Sequence, residues 1–77
     1  MKLNLGCGKQ KLEGYIGVDV CPEAELNHDL RNPLPFEDNS VEEILAIHLI
    51  ESFYQWEFPP VLKDWYRVLQ PNGKITI

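Results

Sequence analysis

The sequence predicts one small α/β domain built on a mostly parallel sheet, and two observations carry that prediction. Near the start, Lys2 to Leu5 sets Leu3 and Leu5 on one face of an extended run that halts at Gly6-Cys7-Gly8, as a strand entering a glycine turn does. Near the end, Leu62, Trp65, Tyr66 and Leu69 recur at i, i+3, i+4 and i+7, and Pro71-Asn72-Gly73 then separates this helical run from an alternating segment, Lys74 to Ile77. A strand, a helix and a further strand of this kind make a unit that joins parallel strands. At 77 residues the chain has room for one domain, 1–77, with a small core.

The elements follow in order. After the strand at Lys2 to Leu5, a second candidate runs from Tyr15 to Val20, entered through Gly14 and stopped by Cys21-Pro22. A brief third covers Glu25 to His28. From Leu30 to Ser40 the chain carries Asn32, Pro33, Pro35, Asp38 and Asn39, which is loop composition, with Leu34 and Phe36 positioned to pin it to the body. Val41 to Phe53 reads two ways: its glutamates, alanine and leucines favour helix, while the apolar block Ile44 to Ile47 suits a buried parallel strand. Pro59 and Pro60 then suit a helix start, and the periodic run ends at Gln70 before the Pro71-Asn72-Gly73 turn.

Composition narrows the function. Twelve acids against seven bases leave a net charge of −5, which disfavours an electrostatic grip on nucleic acid. Ten acids and a single base, Arg31, lie between Asp19 and Glu57, a strip that reads as a solvated surface. Cys7 and Cys21 are too few for a disulfide framework and lack zinc-ligand spacing, so a reducing, cytoplasmic setting and no metal are expected. No apolar run approaches a membrane span, and Met1 to Leu5 is too short for a signal-peptide core.

Where a strand stops at a glycine turn in a parallel sheet, the carboxyl ends of the strands form a crevice for ligands. A dinucleotide fingerprint would place a third glycine where Lys11 stands, and Asp19 comes too early for its ribose acid. A phosphate loop would need Gly-Lys-Ser/Thr, where this chain has Gly8-Lys9-Gln10. What remains is Asn4-Leu5-Gly6-Cys7-Gly8, then an acid closing the second strand at Gly17-Val18-Asp19, then another at His28-Asp29-Leu30. A carboxylate at the end of a second parallel strand can accept two hydrogen bonds from a ribose diol, and Asp29 could accept from an exocyclic adenine amine.

Together these residues resemble a family, the class I S-adenosylmethionine-dependent methyltransferases, in the small branch labelled type 11. The resemblance rests on Leu3-Asn4-Leu5-Gly6-Cys7-Gly8, Gly14-Tyr15-Ile16-Gly17-Val18-Asp19, His28-Asp29-Leu30 with Leu34-Pro35-Phe36-Glu37-Asp38-Asn39-Ser40, His48-Leu49-Ile50-Glu51, and Arg67-Val68-Leu69-Gln70-Pro71-Asn72-Gly73-Lys74-Ile75. It implies a Rossmann-like sheet in the order 3-2-1-4-5, truncated after the fifth strand, because the family's sheet continues 7-6. It makes Ile44 to Ile47 the fourth strand, with helix beginning near Leu49. The short connections Cys7 to Gly14 and Cys21 to Ala24 imply that helices A and B are reduced to turns.

The resemblance further implies S-adenosylmethionine as cofactor. Gly6, Cys7 and Gly8, beside Asn4, would wrap its methionine part, Asp19 would hold the ribose hydroxyls, and Asp29 and Leu30 would contact adenine. His48 would face the cofactor and the methyl acceptor and is the candidate base. Phe53, Tyr54 or Trp56 would line the acceptor pocket; the aromatics between Phe53 and Tyr66 otherwise read as core or as a cover for the sheet. Asn4 stands where much of the superfamily has an acid, Ser52 where many relatives have a second histidine, and Asn72 where a glycine is common. The acceptor itself is not legible. A truncated sheet would leave 74–77 as an edge able to pair with a second copy, and the alternative to a methyltransferase is a non-catalytic module of this fold serving in weak binding or interaction.

Overall fold

The computed structural model describes residues 1–47, 49 and 53–77. Five strands, β1 (Lys2–Leu5), β2 (Ile16–Asp19), β3 (Leu26–Asn27), β4 (Val41–Leu45) and β5 (Leu69–Thr76), form one parallel sheet, and α1 (Phe58–Val68) lies between β4 and β5 in the chain. The order is β3-β2-β1-β4-β5, as the resemblance implied. Residues 6–15 and 20–25 hold turns rather than helices, so the connections expected to carry helices A and B are indeed reduced.

Register sorts the side chains onto two faces, because directly paired residues of a sheet point the same way and alternate along each strand. Leu3 pairs with Ile16 and Ile44, Leu5 with Val18, Val18 with Leu26, and Ile44 with Ile75. These form the core face, against which α1 lays Val61, Trp65 and Val68 at i, i+4 and i+7. Phe53 and Phe58 close on Trp65 edge-on at 6.3 and 5.7 Å, giving the core a three-ring cluster. The other face carries Lys2, Asn4, Gly17, Glu43, Leu45, Lys74 and Thr76, mostly polar.

β2 and β3 are each one residue shorter at both ends than the sequence reading, and the larger differences lie in α1, β5 and β4. The helix ends at Val68 rather than Gln70: Leu69 turns extended (φ −75°, ψ 137°), is buried, and pairs with Val41. Gln70 precedes a proline, which drives it out of the helical region, and Pro71 has no N–H to continue the ladder. The expected turn Pro71-Asn72-Gly73 is part of an irregularity inside β5, between the Val41–Leu69 and Glu43–Lys74 pairs, so the strand starts five residues before Lys74. β4 likewise begins at Val41 and ends at Leu45, although the Ala46 N–H still donates to Thr76 O at 2.9 Å. The helix expected near Leu49 falls largely outside the described residues.

The loop before β4 is held by one arginine. Arg67, in the last turn of α1, donates to Leu34 O (2.9 Å), Phe36 O (2.9 Å), Asp38 Oδ1 (2.8 Å) and Asp64 Oδ1 (2.8 Å), while the Leu34 N–H donates to Asp64 Oδ2 at 2.7 Å. The two carboxylates, Asp64 foremost, push the guanidinium pKa further up, so this clamp keeps its charge at any working pH. Leu34 is thereby buried and Phe36 partly so, as their place in the loop suggested.

Candidate functional site

β1 ends where the chain must turn sharply, and its glycines allow the turn. Gly6 (φ 69°) and Gly8 (φ 58°) both occupy the left-handed region that side chains resist. At Gly6 a Cβ would also stand 2.8 Å from Leu49 Cδ1, whereas the space where Gly8 would carry one is open. The turn is tied to the end of β2: the Gly6 N–H donates to Val18 O and the Gly8 N–H to Asp19 Oδ2, each at 2.8 Å.

Asp19 is the pivot of this region. Its Oδ1 accepts the Val20 N–H at 2.7 Å while Oδ2 holds Gly8, so both oxygens are fixed by backbone. A carboxylate offers about four acceptor positions, and two of them stay available. Two residues before Asp19, the Gly17 N–H donates to Glu25 Oε1 at 2.6 Å, and the other oxygen of Glu25 lies 3.4 Å from Lys11 Nζ. The Gly17 N–H above all, and then Lys11, hold the Glu25 carboxyl below the usual range.

A cleft of about 310 Å³ opens at the carboxyl edge of β1 and β2, lined by Gly6, Asp19, Val20, His28, Asp29, Leu30, Arg31, Leu49 and Phe53. It thus brings together four of the residues singled out in the sequence as cofactor-binding: Gly6, Asp19, Asp29 and Leu30. Asp29 is already engaged, with Oδ1 accepting the Arg31 N–H at 2.9 Å and Oδ2 3.6 Å from the Arg31 guanidinium. Arg31 also reaches Glu57 at 3.2 Å and so stitches the loop after β3 to the entry of α1.

Asn4, Gly6 and Cys7 line an adjoining cleft of about 570 Å³ with Gln10, Lys11, Leu12, Leu45 and Ile47. Gly6 borders both spaces. Cys7 is buried, and burial first, then Asp19, Cys21 and Glu25, push its thiol pKa up, which favours its protonated form. Gly8 lines neither cleft and acts through Asp19. Of the three aromatics expected near an acceptor, Phe53 faces the first cleft; Trp56 lines a separate one beside α1 and stacks on exposed Tyr54 at 4.7 Å. His48 lies outside the described residues.

Val20, His28, Arg31 and Leu49 line the cleft without having been singled out as ligand-binding. Val20 and His28 follow the ends of β2 and β3, the edge where a parallel sheet gathers its ligand groups. Arg31 had a signal of its own, as the only base in a long acidic strip.

A 3-2-1-4-5 parallel sheet with a glycine turn after its first strand and an anchored acid after its second defines a ligand-binding α/β domain of the Rossmann-like kind. Residues 3–77 match the family model described as a methyltransferase domain, and the chain belongs to that family. Members of this family generally use S-adenosylmethionine. No curated protein matches the chain. Among the described residues, no helix is long and apolar enough to cross a membrane.

Proposed function

We propose that residues 1–77 act as one unit that binds S-adenosylmethionine across the two clefts flanking Gly6 and uses it in methyl transfer to an acceptor. The observation that carries this reading is Asp19, which faces the cleft with both oxygens pinned by backbone N–H groups and acceptor positions to spare. The surroundings fit the cofactor. The first cleft lies at the small end of the range of about 300–1,000 Å³ typical of ligand sites, and the open space at Gly8 lets a ligand approach backbone.

When bound, S-adenosylmethionine supplies an electrophilic sulfonium methyl group. Asp19 would accept the ribose hydroxyls, Asp29 and Leu30 would face the adenine, and Asn4, Gly6 and Cys7 would hold the methionine part, with Gly8 shaping that turn through its bond to Asp19. Asn4 offers an amide oxygen to the ammonium in place of a charge. Leu49 and Phe53 keep water from the reacting end, so that the protein contributes chiefly by positioning. His48 takes the proton from an acceptor that must lose one, a role that rests on the family resemblance. The free thiols Cys7 and Cys21 suit a reducing cytoplasmic setting, and β5, the last strand of the described sheet, is the edge on which a second copy would pair.

Calorimetry with S-adenosylhomocysteine tests the site. Saturable heat is expected from the wild type and its loss from Asp19→Ala, with far-ultraviolet circular dichroism checking that the variant stays folded. A folded wild type that gives no heat at millimolar ligand would leave a non-catalytic interaction module as the reading.

A further inference from the structure

The two cysteines stand fourteen residues apart in sequence, yet both thiols reach the same acceptor. Cys21 Sγ donates to Gly8 O at 3.1 Å and Cys7 Sγ approaches that oxygen at 3.4 Å. Cys7 follows β1 and Cys21 follows β2, and the Leu5–Val18 pairing brings the two strand ends side by side. Cys7 is buried beneath the turn, packed so closely on Gly17 that a Cβ there would lie 2.7 Å from its sulfur, whereas Cys21 is half-buried and open to small reagents. A turn carrying Gly6 and Gly8 in left-handed conformations can yield without side-chain clashes of its own.

We infer that Cys7 and Cys21 form a dithiol–disulfide couple that a peroxide oxidises, and that the bond pulls the glycine turn away from Asp19. The accessible Cys21 sulfur, as thiolate, attacks a peroxide oxygen and becomes a sulfenic acid, while the hydroxide that leaves takes up the proton the thiol had lost and becomes the first water. Cys7 sulfur then displaces the hydroxyl, which departs with the Cys7 proton as the second water. Two thiols and one peroxide thus give one disulfide and two waters.

The bond brings the sulfurs to about 2.05 Å of one another and takes from both the protons with which they hold the Gly8 carbonyl. Drawing Cys7 toward Cys21 moves the Cys7–Gly8 peptide, whose N–H then leaves Asp19 Oδ2, one of the two bonds that fix the carboxylate. Oxidation therefore disorganises the ribose-binding acid. This second consequence rests on the cofactor reading above; the formation of the bond does not.

The test treats the whole chain with hydrogen peroxide, alkylates remaining thiols and digests with trypsin. Cleavage after Lys2, Lys9, Lys11 and Arg31 places Cys7 in 3–9 and Cys21 in 12–31. The expected product is these two peptides joined, in monomeric protein, with no alkylated cysteine, and the link disappears in Cys21→Ser. Cys21 as sulfinic acid beside an alkylated Cys7, or a link found only between two chains, would overturn the couple. In parallel, binding of S-adenosylhomocysteine is lost on oxidation, returns with dithiothreitol, and is insensitive to peroxide in Cys21→Ser. Undiminished binding by the cross-linked protein would overturn the switch, whereas a reduced protein that never binds would remove the cofactor reading and its switch and leave the couple to the peptide map.

Discussion

On the face toward α1, Leu3, Leu5, Val18 and Ile44 are almost wholly buried, while the opposite face of the same strands presents Lys2, Asn4, Glu43 and Lys74. Parallel sheets are ordinarily covered on both faces and read as continuous apolar runs. These strands alternate instead. Where the connections after β1 and β2 are turns, the strand residues beneath them are polar: Lys2 lies 5.6 Å from the Tyr15 ring, and the hydrogen bond to Glu43 pushes the Tyr15 hydroxyl pKa up. One face is thus held by burial and the other by polar contacts among its own side chains. The candidate site lies where they meet, at the strand ends, and is fixed mainly by hydrogen bonds between backbone and carboxylates.

The largest effect belongs to the covered face. Trp65→Ala removes the centre of the aromatic cluster and is expected to cost about 3–5 kcal/mol, enough to abolish or nearly abolish the cooperative urea transition of a domain this small. A variant that kept a sharp transition near the wild-type midpoint would break the comparison.

Next comes the junction between the faces. In Gly17→Ala the new Cβ would meet Cys7 Sγ at 2.7 Å and Glu25 Oε1 at 2.8 Å, so the turn must shift; about 1–3 kcal/mol of destabilisation is expected. Chemical denaturation measures the loss, and an unchanged midpoint would mean that this packing is slack.

A smaller, pH-dependent effect concerns Glu25. Because its folded pKa is held below the ordinary value, the stability it contributes is present above the unfolded glutamate pKa and is lost as pH falls through the folded one. Glu25→Gln should flatten the acid side of a stability–pH curve while leaving the two curves parallel at neutral pH. The smallest change is expected on the open face, where Lys74→Ala alters an exposed side chain and should stay within about 0.5 kcal/mol of the wild type by the same denaturation assay.

These regions also differ in how much the sequence disclosed. The glycine turn and the acid closing β2 were legible because each is a local signal: glycines mark a conformation and a carboxylate marks a strand end. Strand order was legible only through the resemblance, since periodicity left Val41 to Phe53 open between helix and strand. The true helix end was hidden because the pairing of Leu69 with Val41, a tertiary contact, decides it. Hidden too was the Arg67 clamp, whose acceptors include backbone oxygens of Leu34 and Phe36, atoms that carry no residue-specific mark.

The central claim is that the glycine turn and Asp19 form a cofactor site. Its most direct test is a titration of the nitrogen-15-labelled chain with S-adenosylhomocysteine, followed by amide shifts. Saturable movements of the Gly6, Gly8, Val20 and Leu30 amides, absent in Asp19→Ala, are the predicted result. Shifts confined to the exposed Tyr54 and Trp56 region, or none at saturating ligand, would contradict it.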